Sequence, residues 1–143
     1  MELLKDYSFV EEIPVFWRDM DAFRHVNNVV YFKWFEIARI AYFEKLGVFK
    51  PLSDITSCPI LVKTSAKYLK AINYPDTVSV GVKSTFYSPE KIEQHYLIVS
   101  HRKKYICTEG DATIFGYDYR TMKRAPFPAE VLNAIEKLEQ KRQ

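Results

Sequence analysis

The sequence predicts an α+β fold in which one antiparallel sheet packs against a single long helix. Two patterns predict it. One helix-like segment is apolar around nearly its whole circumference, which is typical of a helix covered on most sides. Four later segments have strand character and are separated by short turns, which join antiparallel neighbours. With 143 residues, 48% of them hydrophobic and 27% charged, the chain has the size and composition of one globular domain, residues 1–143.

A first strand is expected over residues 8–18. Pro14 cannot donate a hydrogen bond to a sheet ladder, so this strand is an edge strand or carries a bulge. Residues 19–27 are short, polar and turn-like. The four later strands are expected at residues 59–69, 77–87, 91–100 and 104–117.

The long helix is expected from Asn28 to Leu46. Asn27 or Asn28 is a suitable N-cap, and Gly47 is a natural residue to end the helix. A loop is expected over residues 48–58. After the last strand, an amphipathic helix is expected near the C-terminus, with its apolar face formed by Val131, Leu132, Ile135 and Leu138.

Composition and charge exclude several function classes. A net charge of +3 is too small to indicate a nucleic-acid-binding protein. Two cysteines form no disulfide framework, and three histidines lack metal-ligand spacing, so no metal is expected. The N-terminus lacks the features of a signal peptide, and no apolar run is long enough to cross a membrane. We therefore expect a cytoplasmic protein.

The most specific pattern lies in residues 16–47, which read FWRDMDAFRHVNNVVYFKWFEIARIAYFEKLG. This segment resembles the active-site segment of the 4-hydroxybenzoyl-CoA thioesterase family. In that family an aspartate in a short turn precedes Gly-His-Val-Asn-Asn, a tyrosine and Phe-Glu-x-Ala-Arg. The matching residues here are Asp21, His25, Val26, Asn27, Asn28, Tyr31, Phe35, Glu36, Ala38 and Arg39.

The resemblance implies a hot-dog fold: an antiparallel sheet of about five strands wrapped around one long buried helix, plus a C-terminal helix. It also implies hydrolysis of an acyl-CoA thioester. Asp21 would act as general base or as nucleophile. The backbone N–H of Asn28, at the start of the helix, would stabilise the oxyanion. His25, Val26, Asn27 and Tyr31 would position the substrate.

The resemblance has one departure and leaves the contacts with the CoA moiety open. Arg24 stands where many family members have glycine, and if that position requires a positive φ, arginine there is strained. Arg24 also places a cation near the site, so it could contact CoA. Lys91 is the preferred lysine for such a contact, ahead of Lys63 and Lys83. No separate cofactor is implied, because CoA is part of the substrate.

Several alternatives remain at this stage. Asp21 could be a turn residue or a helix cap, and Asp19, expected to pair with a basic neighbour, is its nearest rival. The side chain of His25 could act as a second acid or base. Glu36 and Arg39 are expected to form an ion pair or a hydrogen bond to the sheet. The protein could instead be an acyl-carrier-protein thioesterase, a hydratase or dehydratase, or a non-catalytic acyl-thioester-binding protein.

The expected oligomeric state follows from the apolar helix and from the resemblance. One sheet covers one side of the helix, and the remaining apolar surface is difficult for a domain of this size to bury. In the family, two subunits pair their sheets edge to edge with the active site between them. We therefore expect a homodimer or a homotetramer.

Overall fold

The structure, a computed structural model, describes residues 2–48 and 57–140. Within these residues the fold has one sheet and two helices, with short 3-10 turns at Glu2–Leu4 and Trp17–Asp19. The strands are β1 (Phe9–Pro14), β2 (Cys58–Tyr68), β3 (Thr77–Tyr87), β4 (Lys91–Ser100), β5 (Ile106–Asp118) and β6 (Lys123–Arg124), and the helices are α1 (Asn28–Lys45) and α2 (Ala129–Gln140).

The strands form one antiparallel sheet in the order β1-β3-β4-β5-β2, with β6 paired to β5. This arrangement confirms the predicted α+β fold and the expected position of β1 at an edge. The first strand is shorter than the predicted 8–18, because it ends where Pro14 pairs with Thr77 and the chain then enters the turn at Trp17–Asp19. The sequence analysis missed β6, which is two residues long and has no alternating pattern.

Helix α1 begins and ends close to the predicted positions. The side chain of Asn27 accepts a hydrogen bond from the backbone N–H of Val29, so Asn27 is the N-cap. Leu46 is the C-cap, and Gly47 follows with a φ of 77°. Neighbouring residues therefore fix both ends of α1. The side chain of Asn27 binds a backbone N–H that has no partner in the helix, and Gly47 adopts the left-handed conformation that ends it.

The expectation that α1 is covered on most sides is only partly correct. The side of the helix that carries Tyr31, Trp34, Phe35 and Tyr42 is buried against the concave face of the sheet. The opposite side leaves Val29, Ile37 and Ile40 exposed in the single chain. Because one sheet reaches one side of a helix, nothing in residues 2–48 and 57–140 covers these apolar residues.

Helix α2 packs against β3 and has the predicted apolar face. Val131 and Ile135 are buried, and Leu132 and Leu138 are partly buried against the same core. Neither helix in the described part of the chain is long and apolar enough to cross a membrane. Of the loop expected at 48–58, residues 49–56 lie outside the described residues.

The register of the sheet decides where the predicted site lies. Pro14, at the end of β1, pairs with Thr77 at the start of β3, and Val78 pairs with Ser100 at the end of β4. The end of β1, the start of β3 and the end of β4 therefore lie together at one edge of the fold. Residues 15–27 leave β1 at this edge and lead into α1.

Candidate active site

Residues 20–26 form a closed loop at the entrance to α1. Met20 and Val26 pair as an isolated antiparallel bridge. The backbone N–H of Asp21 donates to the carbonyl of His25 at 2.9 Å, and the N–H of Arg24 donates to the carbonyl of Asp21 at 3.1 Å. These bonds hold the backbones of Asp21 and His25 side by side, just before the helix.

Arg24 closes this loop with a φ of 65°, in the left-handed region that favours glycine. Arginine was expected to be strained here if the position required a positive φ, and the φ is positive. The carbonyl of Arg24 accepts a hydrogen bond from the side-chain amide of Asn73. A contact from the loop before β3 therefore helps to hold the strained residue.

The carboxylate of Asp21 is partly held by the loop. Its Oδ1 accepts a hydrogen bond from the backbone N–H of Phe23 at 2.8 Å and a longer one from that of His25 at 3.5 Å. Within the described residues, no hydrogen bond or ion pair engages Oδ2. One carboxylate oxygen is positioned while the other is available to a water or a substrate.

Asp21 lines a cavity of about 680 Å³ with a strongly basic wall. Among the described residues that line it, Asp21 is the single acidic one. Such a site favours anionic ligands. The other lining residues are Trp17, Arg18, Met20, Arg24, Asn73, Tyr74, Arg102 and Lys103.

Asp76 fixes the backbone of Arg102, one of these cations. Its Oδ1 accepts a hydrogen bond from the backbone N–H of Arg102 at 2.9 Å, and Oδ2 accepts one from the hydroxyl of Ser100. The turn between β4 and β5 is thereby fastened to the start of β3. Arg102 and Lys103 lie in this turn, and the sequence analysis did not place them at the same cavity as Asp21.

The start of α1 lines a second, smaller cavity. Asn27 caps the N–H of Val29, and the N–H of Val30 donates to the carbonyl of Asn27 at 2.9 Å. No hydrogen bond within residues 2–48 and 57–140 uses the N–H of Asn28. The second cavity has a volume of about 210 Å³ and is lined by His25, Val26, Asn28, Tyr31, Tyr68, Leu69, Lys70 and Ala71.

Two tyrosines form the wall of this second cavity. The hydroxyl of Tyr68 donates to the carbonyl of Asn28 at 2.9 Å, and its ring lies 5.1 Å from that of Tyr31 at a steep angle. Burial raises the pKa of Tyr31 well above its usual range. Tyr31 is therefore a neutral phenol at physiological pH, suited to shaping the wall rather than to proton transfer.

The structure brings the predicted residues together in two adjoining groups. Asp21 and Arg24 line the basic cavity, whereas His25, Val26, Asn28 and Tyr31 line the cavity at the start of α1. Asn27 is the N-cap of α1 and lines neither cavity. Because Arg24 and His25 are consecutive, the same loop lines both cavities.

Lys91 is not brought to this site within one chain. It is the first residue of the ten-residue β4, whose other end lies beside the basic cavity, and a strand of that length spans about 30 Å. Its Nζ lies 3.5 Å from Glu93 and 5.2 Å from the centroid of the Phe86 ring. Its expected contact with CoA stays a prediction that needs a second subunit.

The other two lysines also lie away from Asp21. The Nζ of Lys83, on β3, lies 4.7 Å from the centroid of the Tyr7 ring. Lys63 is exposed on β2, paired with Thr113. Neither lysine lines the basic cavity or the cavity at the start of α1.

The rival residues have structural contacts. Asp19 Oδ2 accepts a hydrogen bond from the backbone N–H of Phe16 at 2.8 Å, and within the described residues it forms no ion pair, contrary to expectation. Glu36 pairs with Lys33 at 2.8 Å, and this hydrogen bond lowers the pKa of the Glu36 carboxyl. Arg39 instead donates to the hydroxyl of Tyr96 on β4 at 3.3 Å. Glu36 and Arg39 were expected to form an ion pair or a hydrogen bond to the sheet. The hydrogen bond, from Arg39, is the one observed.

Comparisons with known proteins extend this picture. The family model of the thioesterase-like superfamily matches residues 15–135. The YsmA protein of Bacillus subtilis (strain 168) is 28% identical over 91 residues, which cover 64% of this chain and 60% of that protein. Protein THEM6 of Xenopus laevis is 21% identical over 145 residues, which cover 94% of this chain and 69% of that protein.

Solved structures with the same fold include thioesterases. The PA2801 protein of Pseudomonas aeruginosa, itself a proposed thioesterase, has a TM-score of 0.81 at 28% identity over 90% of this chain and 98% of that one. The DHNA-CoA thioesterase of Staphylococcus aureus has a TM-score of 0.80 at 24% identity over 94% of this chain and 95% of that one. These likenesses confirm the hot-dog fold.

The match of the superfamily model includes the Asp21 loop, α1 and all the long strands. It is coarser than the 4-hydroxybenzoyl-CoA thioesterase family that the motif resembles. This chain therefore belongs to the thioesterase-like superfamily.

Proposed function

We propose that this protein is an acyl-CoA thioesterase that hydrolyses its substrate to a free acid and CoA. The observation that carries the proposal is the position of Asp21, which lines the basic cavity and whose Oδ2 has no partner among the described residues. CoA carries several phosphate groups, and a wall with Arg18, Arg24 and Arg102 suits them. Membership of the superfamily supports the same reaction.

The thioester would lie at the loop of residues 20–26, which lines both cavities. Its carbonyl oxygen would accept a hydrogen bond from the unused N–H of Asn28, at the positive end of the α1 dipole. Asp21 would take a proton from water, whose oxygen then attacks the carbonyl carbon, or would attack that carbon itself to form a mixed anhydride. The C–S bond breaks, and the CoA thiolate leaves and takes up a proton. In the second route, water then hydrolyses the anhydride, which releases the free acid and restores the Asp21 carboxylate.

We further propose that the partner of this chain is a second copy of itself. The exposed apolar side chains of α1 and those of the edge strand β2, Leu61 and Val62, support this proposal. An edge strand has unpaired backbone groups that pair readily with another strand. Pairing of two β2 strands would place two sites in one assembly.

The test is the release of free thiol from a panel of acyl-CoA esters, with loss of enoyl-CoA followed in parallel. Thiol release by the purified protein, lost in Asp21→Asn, is the expected result. Enoyl-CoA loss without thiol release would identify a hydratase instead. Hydrolysis of acyl-carrier-protein esters but not of acyl-CoA would replace the proposed substrate. Binding of acyl-CoA without either reaction would make this a non-catalytic binding protein.

A further inference from the structure

A third cavity, of about 260 Å³, lies between the second half of α1 and the beginning of β2. Its walls are mainly apolar, with Phe43, Leu61 and Ile114 among them. Two charged residues of α1, Glu36 and Arg39, also line it. A cavity of this composition accommodates a hydrocarbon chain, and its charged groups determine what the end of that chain can be.

Arg39 is buried in this cavity, and no carboxylate of the described residues forms an ion pair with it. Its exposed fraction is 9%, and its hydrogen bond is the one from Nη1 to the hydroxyl of Tyr96 at 3.3 Å. Within the described residues, no carboxylate lies within 4.0 Å of the guanidinium group, although that group offers five N–H donors. A buried cation without an anion is unfavourable, because burial removes its hydration without replacing it.

The neighbours of Arg39 on the sheet are neutral. Burial raises the pKa of Tyr96 to about 12, so its hydroxyl is not ionised at physiological pH. That hydroxyl donates in turn to Gln94 Oε1 at 2.7 Å, and the side-chain amide nitrogen of buried Gln94 has no partner within the described residues. These groups orient Arg39 but do not balance its charge.

Among the described residues that line this cavity, Glu36 is the acidic one, three positions before Arg39 on α1. Its Oε1 lies 2.8 Å from Nζ of Lys33, and 46% of its side chain is exposed. Glu36 is therefore hydrogen-bonded to Lys33, and Arg39 acts on it electrostatically from a longer distance, since Arg39 also contributes to the lowered pKa of the Glu36 carboxyl. The buried guanidinium group is left with donors suited to the two oxygens of a carboxylate.

This cavity lies on the same side of α1 as the proposed thioester. Asn28 and Arg39 are eleven residues apart, which is close to three full helical turns, so they share one face about 16 Å apart along the axis. Strand β2 lies beside both, since Tyr68 bonds to Asn28 and Leu61 lines the third cavity. An acyl group that starts at Asn28 would reach Arg39 by lying between α1 and β2, along a path that we call the α1–β2 groove.

We propose that Arg39 is a specificity-determining residue that binds the distal carboxylate of an ω-carboxyacyl group lying in this groove. This inference rests on the proposed thioesterase function, which places the thioester end of the same acyl group at Asn28. The half-buried ring of Phe32 lies on the same helix face, between the two ends. The methylene chain lies along this apolar path and the carboxylate pairs with the guanidinium group.

The first test compares pairs of substrates that differ in the terminal group alone. The pairs are adipoyl- and hexanoyl-CoA, suberoyl- and octanoyl-CoA, sebacoyl- and decanoyl-CoA, and dodecanedioyl- and dodecanoyl-CoA. At the chain length that fits, kcat/KM should favour the ω-carboxyacyl ester by at least ~10-fold, the scale of a charge-assisted hydrogen bond. A preference for the unsubstituted ester at every length overturns the inference.

Variants then assign the preference to Arg39. Arg39→Met removes the charge at similar volume and should reduce the ratio of the two kcat/KM values by at least ~10-fold, whereas Arg39→Lys should retain part of it. Lys45→Met, which removes an exposed cation from the last turn of the same helix, is the matched control and should leave the ratio unchanged. An equal ratio in wild type and Arg39→Met refutes the role of Arg39. If Arg39→Met does not fold, the wild-type comparison and Arg39→Lys decide.

A binding measurement separates this inference from the proposed reaction. Sebacic acid and decanoic acid are titrated into the protein by calorimetry, with no thioester present. Tighter binding of sebacic acid, lost in Arg39→Met, supports the carboxylate site even if no acyl-CoA is hydrolysed. If thioesters are hydrolysed but neither the binding nor the kinetic preference appears, the carboxylate site is wrong and the thioesterase function stands.

Discussion

Oδ1 of Asp21 accepts a hydrogen bond from the backbone N–H of Phe23 at 2.8 Å. The bond closes a turn in which the carboxylate is held by its own loop, next to the backbone of His25. An asparagine in the same place has the same acceptor oxygen, so it should preserve this turn. The structural and catalytic roles of Asp21 are therefore separable by one substitution.

The first prediction is that Asp21→Asn folds normally and hydrolyses acyl-CoA at least ~10²-fold more slowly, the scale for losing a positioned general base. The loss should appear mainly in kcat, because the carboxylate acts in the transition state. Asp19→Asn is the matched control: Asp19 also accepts a backbone hydrogen bond, from Phe16, but does not line the basic cavity. Near wild-type kcat in Asp21→Asn, or an equal loss in Asp19→Asn, contradicts the assignment.

The second prediction concerns Arg24, whose φ is 65°. Arg24→Gly removes the steric cost of that conformation, partly offset by the greater entropy of glycine in the unfolded chain, so the free energy of unfolding should rise by about 0.5 kcal/mol. It should also raise KM, because a cation is lost from the basic cavity. Denaturant unfolding and steady-state kinetics measure the two effects.

Arg24→Ala separates these contributions. Alanine lacks the charge but keeps the side-chain carbon that disfavours positive φ, so KM should rise without the gain in stability. If Arg24→Gly does not fold, Arg24 has a structural role and both explanations fail.

The third prediction concerns Tyr42 on α1 and Glu139 on α2. The Tyr42 hydroxyl donates to Glu139 Oε2 at 2.7 Å, and the backbone N–H of Ser84 donates to the same oxygen at 3.0 Å. Burial, followed by the nearby Glu139, raises the pKa of Tyr42, so the phenol stays protonated. Tyr42→Phe and Glu139→Gln should each lower the free energy of unfolding by ~1–3 kcal/mol.

A double-mutant cycle tests whether the two residues act together. The double variant should be less destabilised than the sum of the single variants, with a coupling of about 1 kcal/mol. Tyr87 on β3 and Glu136 on α2 form a more exposed tyrosine–glutamate pair. Tyr87→Phe with Glu136→Gln is therefore the matched control. Full additivity at Tyr42 and Glu139 would show that the bond does not contribute to stability.

The fourth prediction concerns the two cysteines. Burial raises the pKa of the Cys107 thiol to about 12, and the residue is 0% exposed. Cys58 is half-buried, and burial raises its pKa as well. Because the thiolate is the reactive form, iodoacetamide at pH 8 should modify Cys58 slowly and Cys107 not at all until the protein is unfolded.

Mass spectrometry of the intact protein, before and after denaturation, measures this difference. Rapid modification of Cys107 in the native protein would mean that the core around β5 opens readily. The result also matters for the thiol-release assay, since a buried cysteine does not add to the signal.

The fifth prediction concerns the oligomer. Val62 lies at the bulge in β2, where the register with β5 shifts between Leu61 and Lys63, and it is 51% exposed. If β2 forms the subunit contact, light scattering should give at least a dimer for the wild type, and Val62→Glu should shift the mass towards the monomer. Val10→Glu on the opposite edge strand, where Val10 is 42% exposed, should leave the mass unchanged. A monomeric wild type at micromolar concentration rules out the shared-site arrangement.

Much of the fold was predictable because it depends on local patterns. The cap at Asn27, the end of α1 at Gly47 and the alternation of Val78, Val80 and Val82 on β3 are properties of short segments. These segments formed as expected because a cap or a period of two acts within a few residues. The left-handed conformation of Arg24 was raised by the family resemblance instead, because many members have glycine at its position.

The surroundings of the site depended on the tertiary structure. The basic wall beside Asp21 combines Arg18 and Arg24, from the segment between β1 and α1, with Arg102, from the turn between β4 and β5. These segments meet because the sheet register places their strand ends at one edge. The contact between Tyr42 and Glu139 joins residues far apart in the chain.

Sequence alone therefore determined the class of fold, the main elements and the candidate residue Asp21. The tertiary structure decided which charges surround Asp21 and which side of α1 stays exposed. It also decided that Arg39 is buried with no ion pair to any carboxylate of the described residues. The physical reason is that caps and periodicity act over a few residues. Burial and charge balance depend instead on every element packed around a side chain, and no local pattern encodes them.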